Sequence, residues 1–447
     1  MTLSDEICAH IAGTTDIPGP ARHATRRFLL DGVGVMLAAS GLSAEARAFV
    51  AVGQGEGPCS ILGHGTAAAP FAALANGALG HALDFEDAYD AVPLHPNASA
   101  IPAALAMVQA GRPVGGHDLV TALTIGCDLV CRLGHSLTRP LEERGWYPPM
   151  LLGAIGAAAV AARLAGLDAA RTRDALSLML CQLGAPGEIR HSRGTVLRAV
   201  REAFPAQGAV VSALLATQGV TGFEHPLEGE GGFFSLYAGG HYDTGPLLDG
   251  LATRWYGEDL SFKPWPACRG THTAIELALR LNLNPNDIAG VQVMSGEVQR
   301  MLVDPLPRKQ APVTAIDAKF SLPFTLAAAF VRGRVTLAEF DALSLCDPAI
   351  LALAAKVTPL DRPEWGRDRA TSGGLVVTLT DGRVVAAEEH QALGHPSRPL
   401  SDDDLVAKFT ACAALSARPM AADDADRLAW QILTLDDCRD AGAVFRV

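Results

Sequence analysis

The sequence predicts a mainly helical protein, with a large all-helical domain built from both chain ends and a smaller α+β domain inserted between them. Three observations carry this. From residue 4 to about 250, apolar residues recur at three- and four-residue spacing, broken by Gly and Pro in IPGPA, GRPVGG and APGE. After Lys263 the period changes: AGVQVMSG and GGLVVTLTDGRVVAAEEH carry alternating β-branched residues, the second split by an Asp381-Gly382 pair that favours a hairpin. From PLSDDDLVAKF onward the helical period returns, opened by an Asp-rich first turn. The change of period divides the chain into residues 1–260, 261–395 and 396–447.

In chain order, FAALANGAL predicts a buried helix, and the acidic HALDFEDAYD follows it. Pro148 and Pro149 fit the start of a helix whose apolar run, Met150 to Ala162, stops at Arg163. That run is too short to span a bilayer, so it reads as a core helix. Two further helices, THTAIELALRL and SLPFTLAAAFV, are interleaved with the predicted strands.

Composition narrows the class. The chain has 447 residues, 49% of them hydrophobic, which suffices for two or three globular cores. Only 19% are charged, and many runs are rich in Ala and Gly, which suggests helices packed closely through small faces. A net charge of −12 argues against nucleic acid as a partner. The nine cysteines are scattered and include no CxxC pair, which reads as reduced thiols in a cytoplasmic setting. MTLSDEICAH shows no secretory signal pattern, and no membrane association is expected.

Four segments bear residues suited to chemistry. In HALDFEDAYDAVPLHP, Asp84, Glu86, Asp87 and Asp90 follow a helix C-terminus, where carboxylates are disfavoured, and Asp84 and His95 form a carboxylate and proton-exchanging pair. In RGWYPPM, Tyr147 stands at a helix N-terminus, where the dipole favours an anion or a phenolate; the bland alternative is an aromatic plug between helices. In EIRHSRGTVLRAVREAF, Arg190, Arg193, Arg198 and Arg201 suit a carboxylate-rich ligand, with Arg198 and Arg201 on one helical face, although a solvated basic face accounts for many such clusters. In SFKPWPACRGTHTAIELAL, Lys263 sits among aromatic and proline residues that would desolvate it and lower its pKa, and Cys268 stands four residues before His272. The glycines of EGEGG, residues 228–232, follow no strand, so no dinucleotide loop is predicted.

Taken together, NGALGHALDFEDAYD…LHPNASAIPAALA, GWYPP…GAIGAAAVAARLAGLD, LLATQGVTG, SFKPWPACRGTHTAIE, AKFSLPFTLAAAF and GHPSRPLSDDDLVAKF resemble the MmgE/PrpD family almost end to end. That family includes 2-methylcitrate dehydratases, cis-aconitate decarboxylases and iminodisuccinate epimerases. The resemblance implies a cytoplasmic homodimer, an active site in a cleft between a helical domain and a lid, and no metal, nucleotide or iron–sulfur cofactor. It places Asp84 at the first acid of the family's LDFDDT-like motif, His95 at the histidine of its HP pair and Lys263 at the lysine of its KPYP-like segment. Three positions depart: Ala88 stands where a Thr or Ser is usual, Tyr147 where a histidine is usual, and Arg198 where a lysine aligns, or Arg201 in the register three residues on.

The family's reactions share one difficulty, a carbanion beside a carboxylate, which needs a base at the α-carbon and cations over the enediolate. The expectation is a hydro-lyase acting on a small di- or tricarboxylate. Asp84, His95, Tyr147 and Lys263 are the catalytic candidates, and Arg198, Arg201, Ala88, Cys268 and His272 the binding candidates. His95 is the first choice of acid and Tyr147 the second; a free phenol titrates at about 10 where a free imidazole titrates at about 6.5. The alternatives are an iminodisuccinate-type epimerase with Lys263 and Tyr147 on opposite sides of one carbon, a cis-aconitate-type decarboxylase, and a carboxylate-binding protein without turnover.

Overall fold

A computed structural model describes residues 1–192 and 195–446. The protein is mainly α-helical with a smaller α+β portion, and its contacts group into two units. The first comprises Met1–Ala82, Val92–Leu260 and Ser401–Val447, so it is built from both chain ends; the second comprises Leu83–Ala91 and Ser261–Leu400.

Within the first unit, small residues set the helix spacing. The Gly116–Ser136 and Pro148–Leu164 helices cross at Gly126 and Gly156: a Cβ on Gly126 would lie 2.3 Å from Val160 Cγ2, and one on Gly156 2.3 Å from Val130 Cγ2. Gly77 on the Ala69–His81 helix performs the same service against the backbone of Glu202 and Ala203, where a Cβ would fall 2.6 Å from the Glu202 carbonyl oxygen. Alanine- and glycine-rich helices can therefore approach backbone to backbone, and the dispersion contacts of that approach substitute for large side chains. Beside the helices of this unit, β1 (Cys59–Ser60) and β2 (Thr66–Ala67) form a two-residue antiparallel pair. The return segment begins with a capping box, in which the Ser401 hydroxyl and the Asp404 carboxylate reciprocally satisfy backbone N–H groups ahead of the Asp402–Ala413 helix. Among the described residues, no single helix is long and apolar enough to cross a membrane.

The second unit holds a four-stranded sheet in the order β4-β3-β5-β6, with β3 (Ile288–Ser295), β4 (Val357–Asp361), β5 (Gly373–Leu379) and β6 (Val384–Glu389). The β5–β6 hairpin turns at Gly382, whose φ of 86° suits the residue without a Cβ. β3 pairs antiparallel with β5, Val291 opposite Val377, and parallel with β4, Val291 opposite Val357. The core of this unit gathers Val291, Val293, Leu375 and Val377 of the sheet with Ile275 and Leu277 of the His272–Leu281 helix and Phe324 and Leu326 of the Leu322–Arg332 helix.

Residues 83–91 are a difference from the division drawn at the change of period, which left them in the helical domain. They group with the α+β unit because Ala88 and Ser261 exchange backbone hydrogen bonds of 3.0 and 2.8 Å, forming an isolated bridge. A second difference is the return to the helical unit at Ser401, five positions after the predicted residue 396.

Candidate active site

The short Leu83–Ala91 segment brings its acids to the start of the Ser261–Leu400 segment, and at their meeting Lys263 and Asp84 form a buried ion pair. The lysine Nζ donates to the Asp84 carboxylate at 2.6 Å and to the Asp84 carbonyl oxygen at 3.0 Å, with both residues essentially sealed from solvent. Asp84 adopts φ 48°, the left-handed region that costs a non-glycine residue about 1–2 kcal/mol. Such strain persists only where neighbouring contacts hold it, and it clusters at functional sites.

The expectation that burial lowers the Lys263 pKa is corrected here. Burial does push the ammonium down, but the Asp84 and Glu86 carboxylates push it up by more, so Lys263 is held above the ordinary lysine value of 10.5. It is therefore a permanent cation at neutral pH, suited to stabilising developing negative charge and unsuited to removing a proton. Glu86 thus joins the electrostatics of the pair, although it is not among the candidates read from the sequence.

Asp90 and Arg269 hold the outer edge of the same arrangement. Arg269 Nε donates to both Asp90 carboxylate oxygens, at 3.2 and 3.1 Å, and its Nη1 donates to the Leu393 carbonyl at 2.6 Å. Ser261 adds a 2.6 Å hydrogen bond to Asp90. His272, a binding candidate from sequence, is fully buried with both ring nitrogens engaged: Nε2 lies 3.0 Å from the Ala267 carbonyl and Nδ1 3.3 Å from Arg269. Burial, with Arg269 and Lys263 nearby, holds its pKa well below 6.5, so it is a neutral imidazole donating to Ala267 and accepting from Arg269. Through these two contacts it braces the loop. Half-buried Cys268 donates its backbone N–H to the Lys319 carbonyl at 2.9 Å. Ala88 is buried, with its N–H and C=O both committed to Ser261.

A second group of candidates lies within the helical unit. His95, in the loop before the Ala100–Ala110 helix, packs edge-on against His81, ring centroids 4.8 Å apart. His81 is fully buried at the end of the Ala69–His81 helix and was missed from sequence, although it stands in the same quoted stretch. Tyr147 is the N-cap of the Pro148–Leu164 helix, as the two prolines predict, and its backbone N–H donates to the Ala185 carbonyl at 2.8 Å. Two guanidiniums lie over its ring, Arg201 at 5.1 Å from the centroid and Arg190 at 5.9 Å.

The arginine segment differs from the single helical face expected. Leu197–Val200 makes one helical turn, and half-exposed Arg198 sits on it. Arg201, at its C-cap, is buried beside Glu202, Nε to Oε1 2.9 Å, and donates to the Arg198 carbonyl at 2.8 Å. Glu202, also missed from sequence, accepts a short hydrogen bond from Ser99. Arg190 is exposed, 4.0 Å from Glu142, and Arg193 lies outside the described residues. Among the described residues, Arg190 ends the Gly187–Arg190 turn, Arg198 lies on the Leu197–Val200 turn and Arg201 is its C-cap, and Arg190 and Arg201 converge on the Tyr147 ring.

Residues 6–244 match the MmgE/PrpD N-terminal domain, and residues 265–431 match the MmgE/PrpD C-terminal domain. The chain belongs to the MmgE/PrpD family. Among its relatives are a cis-aconitate decarboxylase-like protein of Aspergillus oryzae, 25% identical over 95% of this chain and 92% of the relative, and the human cis-aconitate decarboxylase, 25% identical over 84% and 78%. A 2-methylcitrate dehydratase of Cupriavidus necator is 26% identical over 56% of this chain and 54% of its own length. MmgE/PrpD relatives with these names are enzymes of more than one reaction class, so kinship at this level supports an enzyme and leaves the reaction to the site's chemistry.

Proposed function

We propose that this MmgE/PrpD protein is a cofactor-independent lyase that develops a carbanion beside a carboxylate of a small di- or tricarboxylate. The supporting observation is the buried Lys263 ammonium, which Asp84 and Glu86 keep protonated. A fixed cation in a dry setting stabilises an enediolate without reorganising as charge develops. The same observation counts against the epimerase reading, which needs Lys263 to exchange a proton with the α-carbon near neutral pH.

Dehydration is the first reading. Dehydration takes a proton from the α-carbon and expels the β-hydroxyl as water: His95, as a neutral imidazole, takes the α-proton and returns it to the departing hydroxyl, a role given on its imidazole chemistry and its place in the family's HP pair, with Tyr147 as second choice of acid. Decarboxylation is the second reading, favoured by the names of the relatives that span most of the chain. It needs the cation and a proton donor but no base at the α-carbon. In both readings the homodimer and cytoplasmic setting implied by kinship are carried forward as part of the proposal.

The test is a panel of citrate-like, malate-like and aconitate-like acids, followed by ultraviolet absorbance for a new enoate and by release of carbon dioxide. Enoate formation without carbon dioxide supports dehydration, and carbon dioxide release supports decarboxylation. Exchange of an α-proton with deuterated solvent, with neither product, would move the assignment to an epimerase. Thermal stabilisation by these acids without any turnover would make the protein a binder.

A further inference from the structure

We infer that Lys319 is a positioning residue for the Asp84–Lys263 pair, tying the two chain segments that make the pair to each other. This rests on the reading of that pair as the reacting centre. Lys319 closes the Ala315–Lys319 turn ahead of the Leu322–Arg332 helix, and it is almost wholly buried. Its two ends hold different segments. The Lys319 carbonyl accepts the Cys268 N–H at 2.9 Å, which fixes the loop that carries Lys263. The Lys319 ammonium donates to the Leu83 carbonyl oxygen, the peptide immediately before Asp84. Lys263 meanwhile donates to the Asp84 carbonyl oxygen.

Two buried ammoniums thus grip successive carbonyls on either side of a residue held at φ 48°. A left-handed, β-substituted residue returns to the right-handed or extended region unless its flanking peptides are fixed. Lys263 holds the carbonyl of the peptide after Asp84, and Lys319 holds the carbonyl of the peptide before it. The Lys319 ammonium also lies 5.1 Å from the centre of the Phe340 ring, a cation–π contact that limits where it can swing. Phe340 and Cys268 define the far side of the lever, and Leu83 its working end.

The experiment compares Lys319→Met and Lys319→Arg in the full-length protein by two readouts. The first is labelling with an amine-acetylating reagent, site by site, by mass spectrometry. Lys319→Met should raise Lys263 labelling by about 10- to 100-fold, the equivalent of one lost charge-assisted hydrogen bond, while labelling of Lys408, paired with Asp31 in the helical unit, stays unchanged. Lys319→Arg, which keeps a long cationic donor, should restore protection. The second readout is turnover on whichever acid the panel identifies, where kcat should fall by about 10²-fold with KM little changed. Unchanged Lys263 labelling in Lys319→Met overturns the inference, and so does a parallel rise at Lys408, which marks a general loss of stability. Should Lys319→Met not fold, Lys319→Gln, too short to reach the Leu83 carbonyl, gives the same comparison. Labelling requires no substrate, so protection that depends on Lys319 in a protein inactive on every acid would refute the lyase reading and leave the tie standing.

Discussion

At Lys263 burial and charge pull in opposite directions, and the outcome decides what the residue can do. Desolvation alone would make it a base; Asp84 and Glu86 make it a cation held above 10.5. Lys263→Met should lower turnover by about 10²–10³-fold, read as kcat on the active acid. It also leaves Asp84 buried without its counter-charge, which should cost about 3–5 kcal/mol in urea denaturation. Because the folded-state pKa is raised, the pair's stabilisation is fully present below 10.5 and is lost as pH climbs through the higher folded value. The stability gap between wild type and Lys263→Met should therefore be flat up to pH 10.5 and narrow above it. His272 gives the opposite slope: its depressed pKa means that the unfolded chain takes up a proton below 6.5 and the folded chain does not. Wild type should lose stability on acidification below that value, and His272→Gln should lose less, measured as unfolding free energy against pH. The identities of Asp84 and Lys263 were legible as motif residues. The sign of the lysine's shift was not, because it depends on Asp84, 179 positions away, and on Glu86 beside it, and no local pattern encodes that distance.

At the scale of elements, the helices were legible through their period, and their spacing through their glycines. Gly156→Ala places a methyl against Val130 and the Gly126 carbonyl, so it should destabilise the protein by about 1–3 kcal/mol, read as a shift in the denaturation midpoint at unchanged slope. It should also disturb Tyr147, the N-cap of the same helix. The hairpin was legible from Asp381-Gly382, whereas β4 was not. Its sequence, VTPLD, is short and holds Pro359, which reads against a strand; it is tolerated because β4 lies at the sheet edge. The one-turn helix carrying Arg198 was also illegible, because i,i+3 spacing predicts a shared face only if the helix continues.

Across the whole molecule, the chain passes between units at 82/83, 91/92, 260/261 and 400/401. The first two passages were invisible to a reading by period, since the Leu83–Ala91 segment is too short to have one; its allegiance is set by one backbone bridge and by ion pairs to Lys263 and Arg269. An excised fragment of residues 261–400 should therefore fail to fold cooperatively. It keeps the sheet and its core, yet it leaves Lys263, Lys319 and Arg269 without the partners that residues 83–90 supply. Loss of near-ultraviolet circular dichroism in that fragment, with the full chain as reference, checks this. The most direct test of the account is the turnover of Lys263→Met beside wild type on the acid panel, followed by enoate absorbance and carbon dioxide release. The account predicts a product from wild type and its near-complete loss in the variant, with the fold retained. Equal rates from the two proteins would contradict it.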